Sequence, residues 1–211
     1  MNRVCCFHSL VATAVALGAV FLIGCVPFSM ANAETIDSIY TSTAPKDCKV
    51  KSAENGVDRS TIRICPGKAG FIVLVREDDL REAVSVGRNR KAAEEEPAAK
   101  TWFGPFSWTA ETVEWRMADG KPFAIIQRWH IDDNDDEDMN GRPKAKPMLA
   151  VTRLLPGAVC HAAYVDVVAN PNANELARKA ADEFVRGFDC SRDMAKVLGK
   201  SGRAVELAVR R

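Results

Sequence analysis

The chain has 211 residues, of which 47% are hydrophobic and 27% charged, and its formal net charge is +1 at pH 7. This composition is too apolar for an intrinsically disordered protein. The near-neutral charge gives no bulk electrostatic reason to bind nucleic acid or an anionic membrane, so we expect a folded protein without nucleic-acid partners.

The first 33 residues are predicted to be an export signal. Arg3 provides a short positive region, and residues 10–24 form an uncharged stretch that is short for a bilayer span but suits a signal-peptide core. The sequence Ala-Asn-Ala ending at Ala33 matches a signal-peptidase site. A lipobox-like sequence ending at Cys25 offers lipid anchoring as the alternative, but apolar residues follow it, and we favour cleavage after Ala33. Either route predicts a periplasmic or secreted protein.

Cysteine usage in the mature chain predicts disulfides. Removal of the first 33 residues leaves 28 basic and 28 acidic side chains and four of the seven cysteines. An even number of cysteines in an exported domain indicates a disulfide framework rather than a metal site. Cys48 and Cys65 flank a turn-forming sequence at 54–58, so a hairpin about that turn brings them opposite each other.

The second predicted disulfide joins Cys160 to Cys190. A strand over 160–169 carries the chain about 30 Å in one direction. A helix over 170–187 then returns it about 26 Å. The residue after the helix therefore lies beside the first residue of the strand.

Alternation of apolar and polar residues predicts an α+β domain that is mainly antiparallel β, with about eight strands. The predicted strands cover residues 46–51, 61–65, 70–76, 80–86, 112–117, 123–131, 148–155 and 159–168. Four-residue spacing of apolar side chains predicts the helix over 170–187, with a stripe formed by Leu176, Ala180, Phe184 and Phe188. We expect one domain over residues 34–190, a curled sheet or a sandwich with this helix packed on one face.

Two segments are predicted to be irregular. Residues 87–101 are rich in charge and have almost no apolar side chain larger than alanine, which indicates a solvated, mobile loop. Residues 191–211 carry an excess of positive charge and are expected to form a flexible basic tail, with a short helix over 205–209.

An acidic sequence at 132–138 is the strongest local anomaly of composition. Asp136, Asp138 and Asn140 match the first half of a calcium loop, with Gly141 at the sharp turn. The second half fails, because Pro147 occupies the place of the bidentate glutamate. A solvated acidic hairpin tip is the favoured interpretation, so we predict no cofactor and at most weak, incidental calcium binding.

The two histidines of the mature chain offer the alternative of an enzyme. A hydrolase could pair His130 or His161 with Asp132 or Asp166. The sequence has no nucleophile elbow, no zinc-binding motif and no phosphate-binding glycine loop. We therefore favour structural roles for both histidines and a non-enzymatic protein.

An aromatic cluster over 102–108 is the first place to look for function. Its members are Trp102, Phe103, Phe106 and Trp108, and the intervening glycine and proline exclude one regular strand. One interpretation is a hydrophobic lid over the open end of the sheet. The other is an exposed patch that binds a partner protein, a peptide or a glycan.

Several short sequences and single residues are distributed over residues 40–190: Cys48, CPGKAG at 65–70, DLRE at 79–82, VSVG at 84–87, EWR at 114–116, RW at 128–129, CHAAYVD at 160–166, Asn174 and Cys190. Together they resemble a family of small exported alphaproteobacterial proteins. The resemblance implies an exported single domain and brings no activity with it. Our leading hypothesis is a periplasmic binding module for a protein or envelope component. The alternatives are the hydrolase and an inhibitor of a cell-wall lytic enzyme.

Overall fold

The computed structural model describes residues 34–52 and 60–209. The predicted export signal at 1–33, the lipidation candidate Cys25 and the predicted turn at 54–58 lie outside these residues. Within the described part of the chain, every helix is too short or too polar to cross a bilayer.

The described residues form ten strands and three α-helices. In chain order they are β1 (Ile36–Ser42), β2 (Lys49–Ser52), β3 (Thr61–Pro66), β4 (Ile72–Asp78), β5 (Arg81–Gly87), α1 (Arg90–Glu95), β6 (Ser107–Ala118), β7 (Lys121–Glu137), β8 (Pro143–Arg153), β9 (Cys160–Asp166), α2 (Ala173–Glu183), β10 (Lys196–Val197) and α3 (Arg203–Val209). Single turns of 3-10 helix occur at Pro45–Asp47, Pro97–Lys100 and Val185–Gly187.

All ten strands belong to one mixed sheet. Its order is β10-β9-β8-β7-β6-β5-β4-β3-β2, and β1 pairs with β6 outside this path. Most neighbours are antiparallel, but β5–β6 and β9–β10 are parallel. The predicted β-rich α+β class is therefore confirmed, while eight antiparallel strands are only an approximation. Strands β1 and β10 are additional to the predicted set.

The sheet buries both faces. One face carries an aromatic and aliphatic core that includes Trp115 and Trp129 and is also packed by α3. The other face packs against α2 through a stripe of buried alanines that includes Ala177 and Ala181. Alanine at these positions lets the helix approach the strands closely, whereas Leu176 of the predicted stripe is only partly buried.

Both predicted disulfides are present. The Cα atoms of Cys48 and Cys65 lie 4.3 Å apart, because the antiparallel register of β2 and β3 pairs Lys49 with Ile64 and sets the cysteines opposite each other at the next step. The Cα atoms of Cys160 and Cys190 lie 5.9 Å apart, where the chain returns past α2 to the start of β9.

The prediction of a solvated, mobile loop over 87–101 is wrong. Asn89 caps α1, because its side-chain oxygen accepts a hydrogen bond from the backbone N–H of Ala92 at 3.0 Å. Ala93 and Ala98 are fully buried against the sheet. The segment packs because its alanines are small, and Gly87 allows the approach, since a Cβ there would lie 2.5 Å from the nitrogen of Ala93.

The prediction of a flexible tail is also wrong over residues 196–209. Val205 and Leu207 of α3 are buried in the core. Asn170 holds the preceding segment through two hydrogen bonds with the backbone of Lys200, each 2.8 Å long. The carboxylate of Asp166 accepts a hydrogen bond from the N–H of Ala204, in the first turn of α3, at 2.9 Å. These long-range contacts order a segment whose composition alone indicates fraying.

Candidate functional site

Strands β5 and β6 separate soon after they meet, and this separation creates a cleft. They pair only at Arg81 and Ser107, where the N–H of Ser107 donates to the carbonyl of Leu80 at 3.1 Å. Further along, β6 pairs with β1 instead. The resulting gap, here called the seam cleft, has a volume of about 350 Å³ and is lined by Glu77, Leu80, Glu82, Phe106, Ser107, Trp108 and Asp132.

Glu82 of β5 connects β5 to β6 through its side chain, just beyond the point where their backbone pairing stops. One of its carboxylate oxygens accepts a hydrogen bond from the guanidinium of Arg63 at 2.5 Å. The other accepts hydrogen bonds from both the N–H and the hydroxyl of Thr109, each at 2.7 Å. Glu82 and Thr109 are buried, so a side chain of β5 here replaces the missing ladder bonds to β6.

The aromatic cluster divides into a buried half and an exposed half. Phe103 is 2% exposed and packs edge-to-face on Trp129 with ring centroids 4.8 Å apart. Trp102 is partly buried beneath the guanidinium of Arg76. Phe106 and Trp108 remain 39% and 43% exposed beside the seam cleft. The lid interpretation therefore describes Phe103, and the exposed-patch interpretation describes Phe106 and Trp108.

Neighbouring strands hold the exposed rings in place. The carbonyl of Phe106 accepts a hydrogen bond from the N–H of Asp132 at 2.9 Å. The indole of Trp108 stacks on the imidazole of His130, its partner in register, with centroids 5.5 Å apart and planes inclined by 15°. Both contacts are made to β7, so the backbone of Phe106 and the ring of Trp108 are attached to the sheet.

The carboxylate of Asp132 is a charged group in this cleft without an ion-pair partner among the described residues. Asp132 and His130 share one face of β7, because side chains alternate along a strand. Burial raises the pKa of Asp132, and burial together with Arg128 lowers the pKa of His130. The lowered pKa favours the neutral form of His130 at neutral pH, and the side chain of Asp132 remains partly exposed to water.

Ser107 borders the cleft from the core side of the sheet. The residue is fully buried, and its hydroxyl has no hydrogen-bond partner within the described part of the chain. A buried hydroxyl without a partner is costly, by about 1–3 kcal/mol. The side chain of Ser107 lies on the core face beside Ile131, opposite the face that carries Trp108 and Asp132, so it is not open to a ligand on that face.

The described geometry does not assemble a hydrolase from the predicted histidines. The ring nitrogen Nδ1 of His161 lies 3.1 Å from the hydroxyl of Tyr164, and burial lowers the pKa of His161 to about 4. Asp166 is engaged instead by the backbone N–H groups of residues 169 and 204. Ser107 pairs with Ile131 and so lies on the opposite face of the sheet from His130.

The acidic sequence forms part of a hairpin whose charges are largely paired. Asp133 is buried and accepts hydrogen bonds from the guanidinium of Arg203 at 2.6 and 2.7 Å, an interaction that lowers the pKa of Asp133. Arg203 also reaches Asp135 at 2.5 Å. The expectation of a wholly solvated tip is therefore wrong for Asp133, because the basic C-terminal segment folds back onto it.

The calcium candidates are likewise engaged by the protein. Asp136 contacts the ammonium groups of Lys144 and Lys146, which lower the pKa of Asp136 to about 2. One oxygen of Asp138 accepts hydrogen bonds from the N–H groups of Asn140 and Arg142 and shapes the turn. Among the described residues, no group of three or more histidine, cysteine, aspartate or glutamate side chains is placed to hold a metal ion.

Comparisons with models of protein families, with curated proteins and with solved structures find no match. The choice of site therefore depends on geometry. Sequence reasoning identified Phe106 and Trp108 but missed Leu80, Glu82 and Ser107. Leu80 could have been identified from its place beside Asp79 in a turn between two strands, where a leucine is unusual. In the structure Leu80 has a positive φ of +58° and is 60% exposed.

Proposed function

We propose that the protein is an exported periplasmic binding module, without catalytic activity, that docks a protein or another envelope component on the seam cleft. The observation that carries the proposal is the group of large apolar side chains exposed around the cleft: Leu80, Phe106 and Trp108. Exposed aromatic residues on a rigid surface are characteristic of binding hot spots.

Two further points support this function. The disulfides are compatible with an oxidising compartment. The resemblance to a family of small exported alphaproteobacterial proteins favours the same location. Inhibition of a cell-wall lytic enzyme would be one form of this activity, with the enzyme as the docked protein.

Site-specific photo-cross-linking in the native envelope tests the proposal. A benzophenone amino acid is placed at Phe106 in one variant and, as the control, at Tyr40 in another. Tyr40 is an aromatic residue of similar exposure on β1, outside the seam cleft. We expect a cross-linked product from position 106 that disappears when Trp108 is replaced by alanine. Absence of a product at position 106, or equal products from both positions, would overturn the proposal.

A further inference from the structure

We infer that the seam cleft binds a lysine or arginine side chain that the partner protein presents. This inference rests on the proposed function and specifies the chemistry of the docked segment. It is carried by the charge balance of the cleft and by the exposed ring of Trp108.

The charge balance of the cleft is negative. Glu77, Glu82 and Asp132 line it, and no basic side chain does. The charge of Glu82 is compensated by Arg63, whereas Asp132 has no ion-pair partner among the described residues. A cation is the ligand that matches a carboxylate placed in this way.

The guanidinium of Arg81, next to the lining residues Leu80 and Glu82, is already engaged by the protein. Arg81 contacts the carboxylate of Asp79, donates to the carbonyl of Gly104 at 3.1 Å and lies over the ring of Phe106 at 5.2 Å from its centroid. Arg81 is thus held at the rim by three contacts. The protein therefore does not supply a counter-ion for Asp132 from this side, and a partner's cation can take that place.

The aromatic rings suit the same ligand. A cation is attracted to the face of an aromatic ring, most strongly to that of tryptophan. The chain itself uses this contact, since the guanidinium of Arg76 lies 4.7 Å from the ring centroid of Trp102. A lysine or arginine stem can lie along Trp108 and Leu80 while its charged head reaches Asp132.

The size and polarity of the cleft favour a single side chain. Its volume of about 350 Å³ is at the lower end of the range for ligand pockets. A neutral glycan could also stack on Trp108, but it would leave the charge of Asp132 unmatched, so we favour a basic protein segment.

Peptide titration followed by NMR tests this inference on the folded mature protein. The probes are a capped pentapeptide Gly-Val-Lys-Val-Gly, its arginine analogue, its glutamate analogue, its norleucine analogue and a soluble oligomer of N-acetylglucosamine. The indole N–H resonance of Trp108, assigned by its loss in Trp108→Ala, reports binding. We expect the lysine and arginine peptides to shift it in a saturable way, and the norleucine and glutamate peptides to bind at least about fivefold more weakly.

Variants then test the role of the charge. Asp132→Asn should weaken the lysine peptide about fivefold without altering the melting temperature. The matched control is Asp37→Asn, at an exposed position on β1 outside the cleft, which should leave the affinity unchanged. Trp108→Ala should abolish saturable binding, which is measured for that variant by calorimetry.

The outcomes separate this inference from the proposed function. Equal binding of the lysine and norleucine peptides, unchanged affinity in Asp132→Asn, or no shift up to 10 mM peptide would each overturn the inference. A shift produced by the sugar oligomer alone would identify a glycan as the ligand and would overturn it as well. A cross-link at Phe106 whose yield is unchanged in Asp132→Asn would support the proposed function while rejecting the basic side chain.

Discussion

Replacement of Glu82 by alanine removes the carboxylate that joins β5 to β6. The change leaves the guanidinium of Arg63, whose side chain is 17% exposed, without its partner. It also leaves the N–H and hydroxyl of buried Thr109 without an acceptor. We expect the free energy of unfolding to fall by about 3 kcal/mol, because breaking a buried ion pair costs more than the pair contributes while intact.

Two further variants separate the charge from the hydrogen bonds. Glu82→Gln keeps an oxygen acceptor for Thr109 but turns its amide N–H groups toward Arg63, so it loses the ion pair and its hydrogen bond and should cost less than Glu82→Ala. Adding Arg63→Met to Glu82→Ala removes the unpaired guanidinium, so the double variant should be more stable than Glu82→Ala alone. Glu77→Ala is the matched control, since Glu77 lines the same cleft but is partly exposed, and it should change stability by less than about 0.5 kcal/mol.

Urea unfolding followed by far-UV circular dichroism measures these differences at pH 7. The comparison requires equal slopes of free energy against urea concentration in all variants, so that a shift in the midpoint reports stability. If Glu82→Ala lost less than about 1 kcal/mol, or if Arg63→Met failed to recover stability in its background, Glu82 would not hold the seam in the way described.

Three other predictions follow from the fold. Gly202→Ala should lower the melting temperature by several degrees, because the new Cβ would lie 2.5 Å from the carboxylate of Asp166 that caps α3. Gly104→Ala is the control and should have no effect, since the space around Gly104 is open. Equal melting temperatures of the two variants would contradict the capping role. Leu80→Gly should raise stability by about 0.5–1 kcal/mol by relieving a positive φ, and should weaken binding at the seam cleft; lower stability would show that Leu80 contributes to packing instead. Burial lowers the pKa of His161 from 6.5 to about 4, so between these pH values unfolding is accompanied by uptake of a proton. The free energy of unfolding should therefore be highest above pH 6.5 and should fall by up to about 3 kcal/mol as the pH decreases to 4. His161→Phe should flatten this part of the profile measured by urea unfolding, and an unchanged slope would assign the effect to another group.

The parts of the fold that sequence predicts are those that depend on local chain geometry. The disulfide Cys160–Cys190 follows from the matched lengths of one strand and one helix. The pair Cys48–Cys65 follows from a hairpin. Most strands are predicted in place because alternation is visible within five to seven residues.

The parts that sequence misses depend on contacts between distant residues or on small side chains. Ala93 and Ala98 are fully buried, but alanine contributes little to a hydrophobicity pattern, so the sequence of residues 87–101 indicates a solvated loop. The ion pair between Asp133 and Arg203 joins residues 70 positions apart, and neither neighbourhood indicates the other. The sequence shows an acidic and a basic segment, but their pairing depends on the tertiary fold.

The candidate site combines both kinds of information, because its position is a consequence of sheet topology. A parallel pair of strands cannot be joined by a tight turn, so the chain that leaves β5 must travel back along the sheet before β6 begins. Residues 88–106 make this return with α1, the 3-10 turn Pro97–Lys100 and the aromatic cluster.

Phe103 sets where this return ends. Its burial against Trp129 fixes the end of the connection, and the next residues enter β6 beside the β4–β5 turn that carries Leu80. Alternation along β6 then directs Trp108 away from the core face that Ser107 and its partner Ile131 occupy, and a shift of one residue would reverse this arrangement. Within this one short sequence, the buried ring of Phe103 thus fixes the register of β6. That register in turn leaves the rings of Phe106 and Trp108 exposed to a partner.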